Sequence, residues 1–269
     1  MSKFSLIIEP FNGLLCLDIP SYTLKKYSIY QVIFSEWTKW IRPKAEWIGY
    51  LDLTTGPGYS KVKECREIGD KQVAASPIIA LRTEPRFTDL MFIERNRKYC
   101  NALKERIKEF CEGRNCDVLN EDANKYIRYA IKRLEGHCLV CIDPFRPRDL
   151  SWETLENVLQ EDLCDVVSVY PAPLTQRPIR RHRGRLFIPG VHKHMPPGFQ
   201  LDMKEEVLRT SSEFCRKKIG EIFGRSVLHC FIRGVPYPIL FATKDFELGK
   251  HIYNKLKSEG VCDEIAFKE

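Results

Sequence analysis

The 269-residue sequence predicts an α/β fold with a mostly parallel central sheet, helices on both faces and an antiparallel edge strand. Two observations carry this prediction. Short apolar runs alternate with stretches of helical periodicity between residues 47 and 169, and fully apolar strands are typical of a parallel sheet covered on both faces. Two more apolar runs flank a Gly-Val-Pro turn at 234–236, which favours an antiparallel pair of strands.

The N-terminal part of the chain precedes this alternation. An Asn-Gly dipeptide at 12–13, flanked by apolar residues, predicts a hairpin within residues 4–19. Apolar residues at helical spacing then predict a helix that ends before Pro43. We therefore expect residues 1–45 to be a hairpin and a helix that pack on a larger unit, residues 46–269.

The rest of the chain supplies the elements of the sheet. Apolar runs predict strands at 47–53, 90–93, 116–119, 137–142, 165–169, 226–234 and 237–243. Periodicity predicts helices at 78–84, 97–112, 124–134, 152–159, 202–223 and 246–258. The polar stretch 59–75 predicts a loop, and Ser76 and Pro77 after it predict an N-cap with proline at the first helical position.

The composition is that of an ordinary folded protein, with 43% hydrophobic and 29% charged residues. No run approaches the roughly 20 apolar residues of a membrane span, and the N-terminus lacks a signal peptide's apolar core. We expect a cytoplasmic protein with no membrane partner. The cysteines lack the spacing of a metal site, so we expect no metal; Cys111 and Cys116, which flank a turn, are a candidate disulfide pair.

Acidic residues follow the first four predicted core strands: Asp52, Glu94, Asp122 and Asp143. Ligands of an open parallel sheet bind beyond the carboxyl ends of its strands. Carboxylates at that edge can accept hydrogen bonds from an ammonium, from ribose hydroxyls and from an amino group. The segment 50–58, YLDLTTGPG, adds a glycine turn that lets a ligand approach the backbone closely. Together they predict a nucleotide-type cofactor pocket.

Two common nucleotide pockets fit this pattern less well. The chain has no GxxxxGK[ST] phosphate loop, which makes an NTPase an unfavourable interpretation. The separation of 42 residues between Asp52 and Glu94 (94 − 52) exceeds the roughly 20 residues of the dinucleotide-binding fingerprint. NAD is therefore disfavoured as the cofactor.

The succession of motifs resembles the three-Cys-motif partner (TcmP) family, which belongs with the class I S-adenosylmethionine-dependent methyltransferases. The resemblance covers roughly residues 24–258. It rests on YLDLTTGPG at 50–58 (YxDLFAGPG in the family), ASPIIAL at 75–81 (GSPLIAL), DAN at 122–124, VCIDPF at 140–145 and YPILFAT at 237–243. It implies a Rossmann-like class I methyltransferase fold with S-adenosylmethionine as the cofactor.

The resemblance also implies roles for single residues. Asp52, Gly56 and Gly58 line the methionine end of the cofactor. Glu94 holds the ribose hydroxyls, and Asp122 contacts the adenine amino group. The cofactor-binding set is completed by Thr54 and Ala123. Thr54 and Thr55 replace the family's Phe-Ala, and Ala75 replaces a glycine, so the geometry of the turn departs from the family pattern.

The stretch Asp143-Pro144-Phe145 resembles the [DN]PP[YF] motif of amino-group methyltransferases, one proline short. In that motif a carboxylate and a carbonyl accept hydrogen bonds from an exocyclic amine while the ring stacks on the base, which aligns the nitrogen with the methyl group. Asp143, Pro144 and Phe145 are therefore the candidate catalytic residues, for transfer to a base amine of RNA or DNA. A plain turn at this point is the alternative.

Basic residues are concentrated in an insertion at about 171–200, in a chain of net charge +7. Arginine pairs well with phosphate and stacks on bases, so this segment predicts nucleic-acid binding. The candidate residues are Arg177, Arg180, Arg181, Arg183, Arg185 and Lys193. A solvated basic loop is the alternative interpretation.

Three functions are compatible with these patterns. The leading hypothesis is an S-adenosylmethionine-dependent methyltransferase that acts on nucleic acid. The second is a cofactor- or nucleic-acid-binding protein that has lost transfer and works with a protein partner, a radical-type iron–sulfur enzyme. The third is a Mg-dependent nuclease that uses the clustered acids.

Overall fold

The structure, a computed structural model, describes residues 6–63, 65, 67–134, 136–145, 149–169, 180–182, 185–187, 216–231, 238–262 and 264–268. Residues 180–182, 185–187 and 268 are described by their backbone alone.

The elements alternate as the sequence pattern predicts. The strands are β1 (Ile8–Glu9), β2 (Leu17–Ile19), β3 (Ile48–Asp52), β4 (Tyr59–Val62), β5 (Gln72–Ala74), β6 (Asp89–Ile93), β7 (Asn115–Leu119), β8 (His137–Ile142), β9 (Cys164–Val169), β10 (Arg180–His182), β11 (Arg185–Phe187), β12 (Ser226–Phe231), β13 (Ile239–Thr243) and β14 (Glu264–Lys268). The helices are α1 (Thr23–Ile41), α2 (Ser76–Leu81), α3 (Arg97–Ile107), α4 (Ala123–Arg133), α5 (Trp152–Leu159), α6 (described over 216–223) and α7 (Phe246–Glu259).

In the described part of the chain, the central sheet has eight strands in the order β14-β12-β13-β9-β8-β3-β6-β7. Strands β7, β6, β3, β8 and β9 are parallel neighbours, whereas β13 runs antiparallel to β9 and β12, and β14 antiparallel to β12. Counted along the chain, the five parallel strands have the order 3-2-1-4-5 of a doubly wound fold. This topology confirms the predicted Rossmann-like α/β fold class.

Helices cover both faces of this sheet because strand residues alternate between two hydrophobic cores. Tyr50 and Leu139 belong to the core that α1, α2, α3 and α7 cover. Leu51 and Val140, their neighbours in sequence, belong to the core under α4 and α5. Burial on both faces explains why β3 and β8 are apolar along nearly their whole length, with no polar alternation.

The predicted N-terminal hairpin within residues 4–19 is wrong. Strand β1 pairs antiparallel with β5, and β2 pairs parallel with β4, in a second sheet of order β1-β5-β4-β2. A turn does form at the predicted place, since Gly13 has φ +81° and the Asn12 Oδ1 accepts from Leu14 N. The strands, however, lie seven residues apart (10–16), too far for a two-residue hairpin loop.

The predicted loop at 59–75 is also wrong, because it contains β4 and β5 of that second sheet. The helix after it spans Ser76–Leu81, whereas the sequence predicts 78–84 with Ser76 as the N-cap. Its N-cap is Ala75, which makes Ser76 the first helical residue and leaves the Ser76 hydroxyl for another contact. The polar composition of 59–75 misled the prediction, because β4 and β5 are buried although they contain polar residues such as Ser60 and Gln72.

Other differences concern boundaries. Helix α3 ends at Ile107, where the periodicity predicts 112, and the chain continues in a turn in which the Phe110 and Cys111 amides donate to the Ile107 carbonyl. Strand β14 was not predicted. Most of the predicted helix 202–223 and of the basic insertion lies outside the described residues; within the insertion, β10 and β11 pair antiparallel.

Two further expectations concern single features of the chain. Cys111 and Cys116 both carry free thiols. No helix in the described part of the chain is long and apolar enough to cross a membrane.

Candidate cofactor site

The predicted acidic residues lie along the carboxyl ends of four neighbouring strands. From the sheet edge inward these are Asp122 beyond β7, Glu94 after β6, Asp52 at the end of β3 and Asp143 after β8. The chain continues from β3 to β6 on one side and returns to β8 on the other, so the switch point lies between β3 and β8. That is where ligands of such sheets bind.

Asp52 is the centre of this edge. Its side chain is fully buried, and its Oδ2 accepts hydrogen bonds from the hydroxyls of Ser76 (2.7 Å) and Tyr50 (3.1 Å). The Thr54 amide donates to its Oδ1 at 3.2 Å. The Asp52 carboxylate thus connects its own strand β3 to the start of α2 and to Thr54, the first residue of the glycine turn.

Burial raises the pKa of Asp52 to about 7, and the neighbouring Asp143 carboxylate contributes to this rise. The hydrogen bonds that Asp52 accepts act in the opposite direction and lower its pKa. Burial also raises the pKa of the Tyr50 hydroxyl, so Tyr50 stays a donor. A buried carboxylate whose pKa lies near neutral pH is typical of a functional site.

The glycine turn requires its glycines for two different reasons. Gly56 and Gly58 have φ of +67° and +93°, which L side chains rarely adopt. At Gly58 an added Cβ would also lie 3.0 Å from the Leu103 side chain, whereas at Gly56 nothing lies within 4 Å. The space beside Gly56 is therefore open to a ligand, while Gly58 is packed against the helices behind the turn.

The Glu94 carboxylate connects the glycine turn to the next loop. Its Oε2 accepts from the Gly56 amide at 2.8 Å, and its Oε1 accepts from the Asn96 amide at 2.6 Å. Burial raises its pKa. Asp122 caps α4 through a bond from the Asn124 amide (3.0 Å), and Ala123 is the buried first residue of that helix.

A buried arginine supports the turn from behind. The Arg106 guanidinium on α3 donates to the Pro57 carbonyl at 2.6 Å within the turn. It also donates to the Leu15 carbonyl at 2.6 Å and to the Gln72 Oε1 at 3.4 Å in β5. The second sheet thus fixes the glycine turn through Arg106, which gives the strands inserted after β3 a structural role.

In the Asp143-Pro144-Phe145 stretch, Asp143 is bonded to neighbouring elements, whereas Phe145 is exposed. The Asp143 amide donates to the Thr54 Oγ1 at 3.2 Å, which joins β8 to the glycine turn. The Asp143 Oδ2 forms an ion pair with Lys26 on α1 at 2.5 Å. Phe145 is 68% exposed, so its ring lies at the surface.

The structure therefore brings Asp52, Thr54 and Asp143 together through hydrogen bonds. A further hydrogen bond joins Gly56 of the same turn to Glu94. It reveals two contributors that the sequence did not single out for the site, Lys26 and the Ser76 hydroxyl. A serine directly before a proline at a helix start was a usable signal for Ser76, but Lys26 lies 117 residues from its partner and carried none.

The predicted nucleic-acid-binding residues cannot be placed in the same way. Arg177, Arg183 and Lys193 lie outside the described residues, and the side chains of Arg180, Arg181 and Arg185 on β10 and β11 are not described. Within the described residues, no group of three or more His, Cys, Asp and Glu side chains could hold a metal ion.

The chain matches no protein-family model and no curated protein sequence. Among solved structures, protein LPL1258 from Legionella pneumophila has a TM-score of 0.59 at 12% identity, over 89% of this chain and 94% of that one. The small RNA methyltransferase HEN1 (0.49, 13% identity, 88% and 27% of the chains) and an rRNA methylase from Streptococcus thermophilus (0.42, 9%, 81% and 93%) are more distant. The likeness to LPL1258 supports the fold; the other two carry no inference about this chain.

The raised pKa of Asp52 has a measurable effect on stability. Between its usual pKa of 3.8 and about 7, the folded state keeps a proton that the unfolded state has lost. The contribution of Asp52 to the free energy of unfolding therefore falls by about 3 kcal/mol as pH rises from 5 to 8. Urea titrations at pH 5 and pH 8 should show this loss in the wild type and a clearly smaller loss in Asp52→Asn, in which Glu94 still contributes. The exposed control Asp18→Asn should keep the wild-type loss; an equal loss in Asp52→Asn would contradict the assignment.

Proposed function

We propose that this protein binds S-adenosylmethionine at the carboxyl edge of β3, β6, β7 and β8 and transfers its methyl group to nucleic acid. As part of this proposal we place the chain with the three-Cys-motif partner family, among class I methyltransferases. The observation that supports it best is the linked set of a buried Asp52, an open glycine turn and a Glu94 that contacts that turn.

The chemistry of this edge fits the cofactor. S-adenosylmethionine presents an ammonium, a sulfonium, two ribose hydroxyls and an adenine amino group, and the edge offers the carboxylate acceptors that such groups need. Asp52 would position the glycine turn that lines the methionine end, Glu94 would hold the ribose and Asp122 the adenine. When bound, the cofactor supplies an electrophilic methyl group. The residues of the chain hold it and orient an acceptor toward it.

A basic helix supports nucleic acid as the acceptor. Helix α4 begins at the candidate site and has four basic residues and no acidic one. All four are exposed, beside a Tyr129 side chain that is 57% exposed. A row of cations with an aromatic ring suits a phosphate backbone with accessible bases. The basic residues are Lys125, Arg128, Lys132 and Arg133.

The nuclease alternative is less well supported by the contacts of the acids. Asp52 accepts from two hydroxyls and an amide, Glu94 from two amides, and Asp143 pairs with Lys26. Carboxylates that serve a divalent cation direct their oxygens to a common point. The binding-protein alternative shares the cofactor site and differs only in transfer.

Replacement of either central carboxylate by its amide should weaken cofactor binding. Calorimetry with S-adenosylhomocysteine should show at least about tenfold weaker binding for Asp52→Asn and for Glu94→Gln, since each loses a charge-assisted hydrogen bond. The control Glu105→Gln, an exposed acid on α3, should bind like the wild type. A wild-type protein that binds neither S-adenosylhomocysteine nor S-adenosylmethionine would refute the proposal.

Transfer is tested separately from binding. Incubation with radiolabelled S-adenosylmethionine and, in parallel, total RNA, genomic DNA and total protein should place the label in nucleic acid. Charge reversal on α4 by Arg128→Glu with Lys132→Glu should lower this labelling at least about tenfold and leave cofactor affinity unchanged, because the cations contact the acceptor. Cofactor binding without labelling of any pool would favour the binding-protein alternative. Labelling of protein alone would contradict the acceptor class.

A further inference from the structure

Lys26 reaches the candidate site at Asp143, although it comes from a helix that otherwise packs in the core. It is in the first turn of α1, and its side chain is only 9% exposed. The Nζ atom lies 2.5 Å from the Asp143 Oδ2 and within 6 Å of the ring centres of Tyr27 (5.3 Å) and Tyr30 (5.8 Å). An ammonium held by a carboxylate and two aromatic faces has a defined position.

The ion pair between Lys26 and Asp143 limits which acceptor groups the site can bind. An exocyclic amine has two hydrogens that need acceptors, whereas Lys26 already donates to one of the two Asp143 oxygens, Oδ2. A lysine ammonium presents donors only. An amine nitrogen brought beside Lys26 would meet N–H groups where it needs lone pairs, and its own lone pair must stay free to attack the methyl carbon.

A hydroxyl group matches the same pair. Its oxygen accepts from a donor and its hydrogen donates to an acceptor, and Lys26 with Asp143 supplies one of each. Of the two nucleic acids, only RNA carries a ribose 2′-hydroxyl along its chain. The Asp143 amide, bonded to Thr54 in the glycine turn, keeps this pair next to the proposed position of the cofactor.

We propose that Lys26 and Asp143 bind the acceptor group and that this group is a ribose hydroxyl of RNA, not an exocyclic base amine. The inference rests on the proposed function and specifies its acceptor. In the transfer, the hydroxyl oxygen bonds to the methyl carbon as the carbon–sulfur bond breaks, and the electron pair of that bond stays on sulfur. The hydroxyl proton passes to the Asp143 carboxylate, and Lys26 stabilises the negative charge that develops on the oxygen.

The test uses the full chain, radiolabelled S-adenosylmethionine and total RNA, followed by alkaline hydrolysis. A phosphodiester bond next to a 2′-O-methyl ribose resists alkali, so the label should remain in dinucleotides. Lys26→Met should lower labelling at least about 100-fold, the range of one lost acid–base or electrostatic partner. Lys39→Met, an exposed lysine on the same helix, should label like the wild type.

Two measurements separate this role from a loss of folding or of cofactor. The double variant Lys26→Met with Asp143→Asn leaves no unpaired buried charge, so it should fold and should also fail to label RNA. Both variants should bind S-adenosylhomocysteine within about threefold of the wild type. With S-adenosylhomocysteine bound, the wild type should bind a pool of random 20-nucleotide RNA about tenfold more tightly than a DNA pool of the same length. The Lys26→Met variant should bind the two pools equally.

The outcomes distinguish the two proposals. A wild type that does not bind S-adenosylhomocysteine would refute the proposed function itself. With cofactor binding intact, four results would overturn the inference about Lys26: label in alkali-released mononucleotides, label in DNA or protein, full labelling by Lys26→Met, or no label in any pool.

Discussion

The buried carboxylate of Asp52 is the constraint on which the candidate site depends. It ends the first parallel strand and accepts hydrogen bonds from Tyr50, Thr54 and Ser76, which belong to the strand, the glycine turn and the next helix. Because no solvent reaches the Asp52 carboxylate, hydrogen bonds from these three donors replace the hydration that it loses on folding. The turn keeps its left-handed glycines, and with them its open face, because Asp52 and Arg106 hold it from two sides.

The charged groups around Asp52 determine which cofactor and acceptor groups the site can bind. Asp143 is close enough to Asp52 to raise its pKa, and Lys26 compensates Asp143 with a buried positive charge. The edge therefore combines acceptors for a cationic cofactor with one ammonium beside the proposed acceptor position. The same contacts make an amine acceptor and a metal-dependent reaction less suitable than the sequence motifs alone imply.

Much of the fold could be predicted because it is local. Largely apolar runs such as β3 and β8, and the acids at their ends, can be recognised without any knowledge of strand pairing. The parallel direction of the strands follows from their alternation with helices. What could not be predicted depends on contacts between distant residues. The short strands β4 and β5 pair with the N-terminal strands, and Lys26 meets Asp143 across 117 residues. The hydrophobic periodicity of a sequence carries no information about such contacts. The [DN]PP[YF]-like stretch was located correctly after β8, but its partner Lys26 was invisible in the sequence.

Hydrogen–deuterium exchange with and without S-adenosylhomocysteine tests most directly whether this edge is a cofactor pocket. Peptides that contain residues 53–59 and 94–97 should exchange more slowly with the ligand, because their backbone surrounds the proposed site. A peptide over 112–115, at the amino ends of the same strands, should not change. Unchanged exchange in the first two peptides at saturating ligand, or protection confined to the opposite edge, would contradict the account.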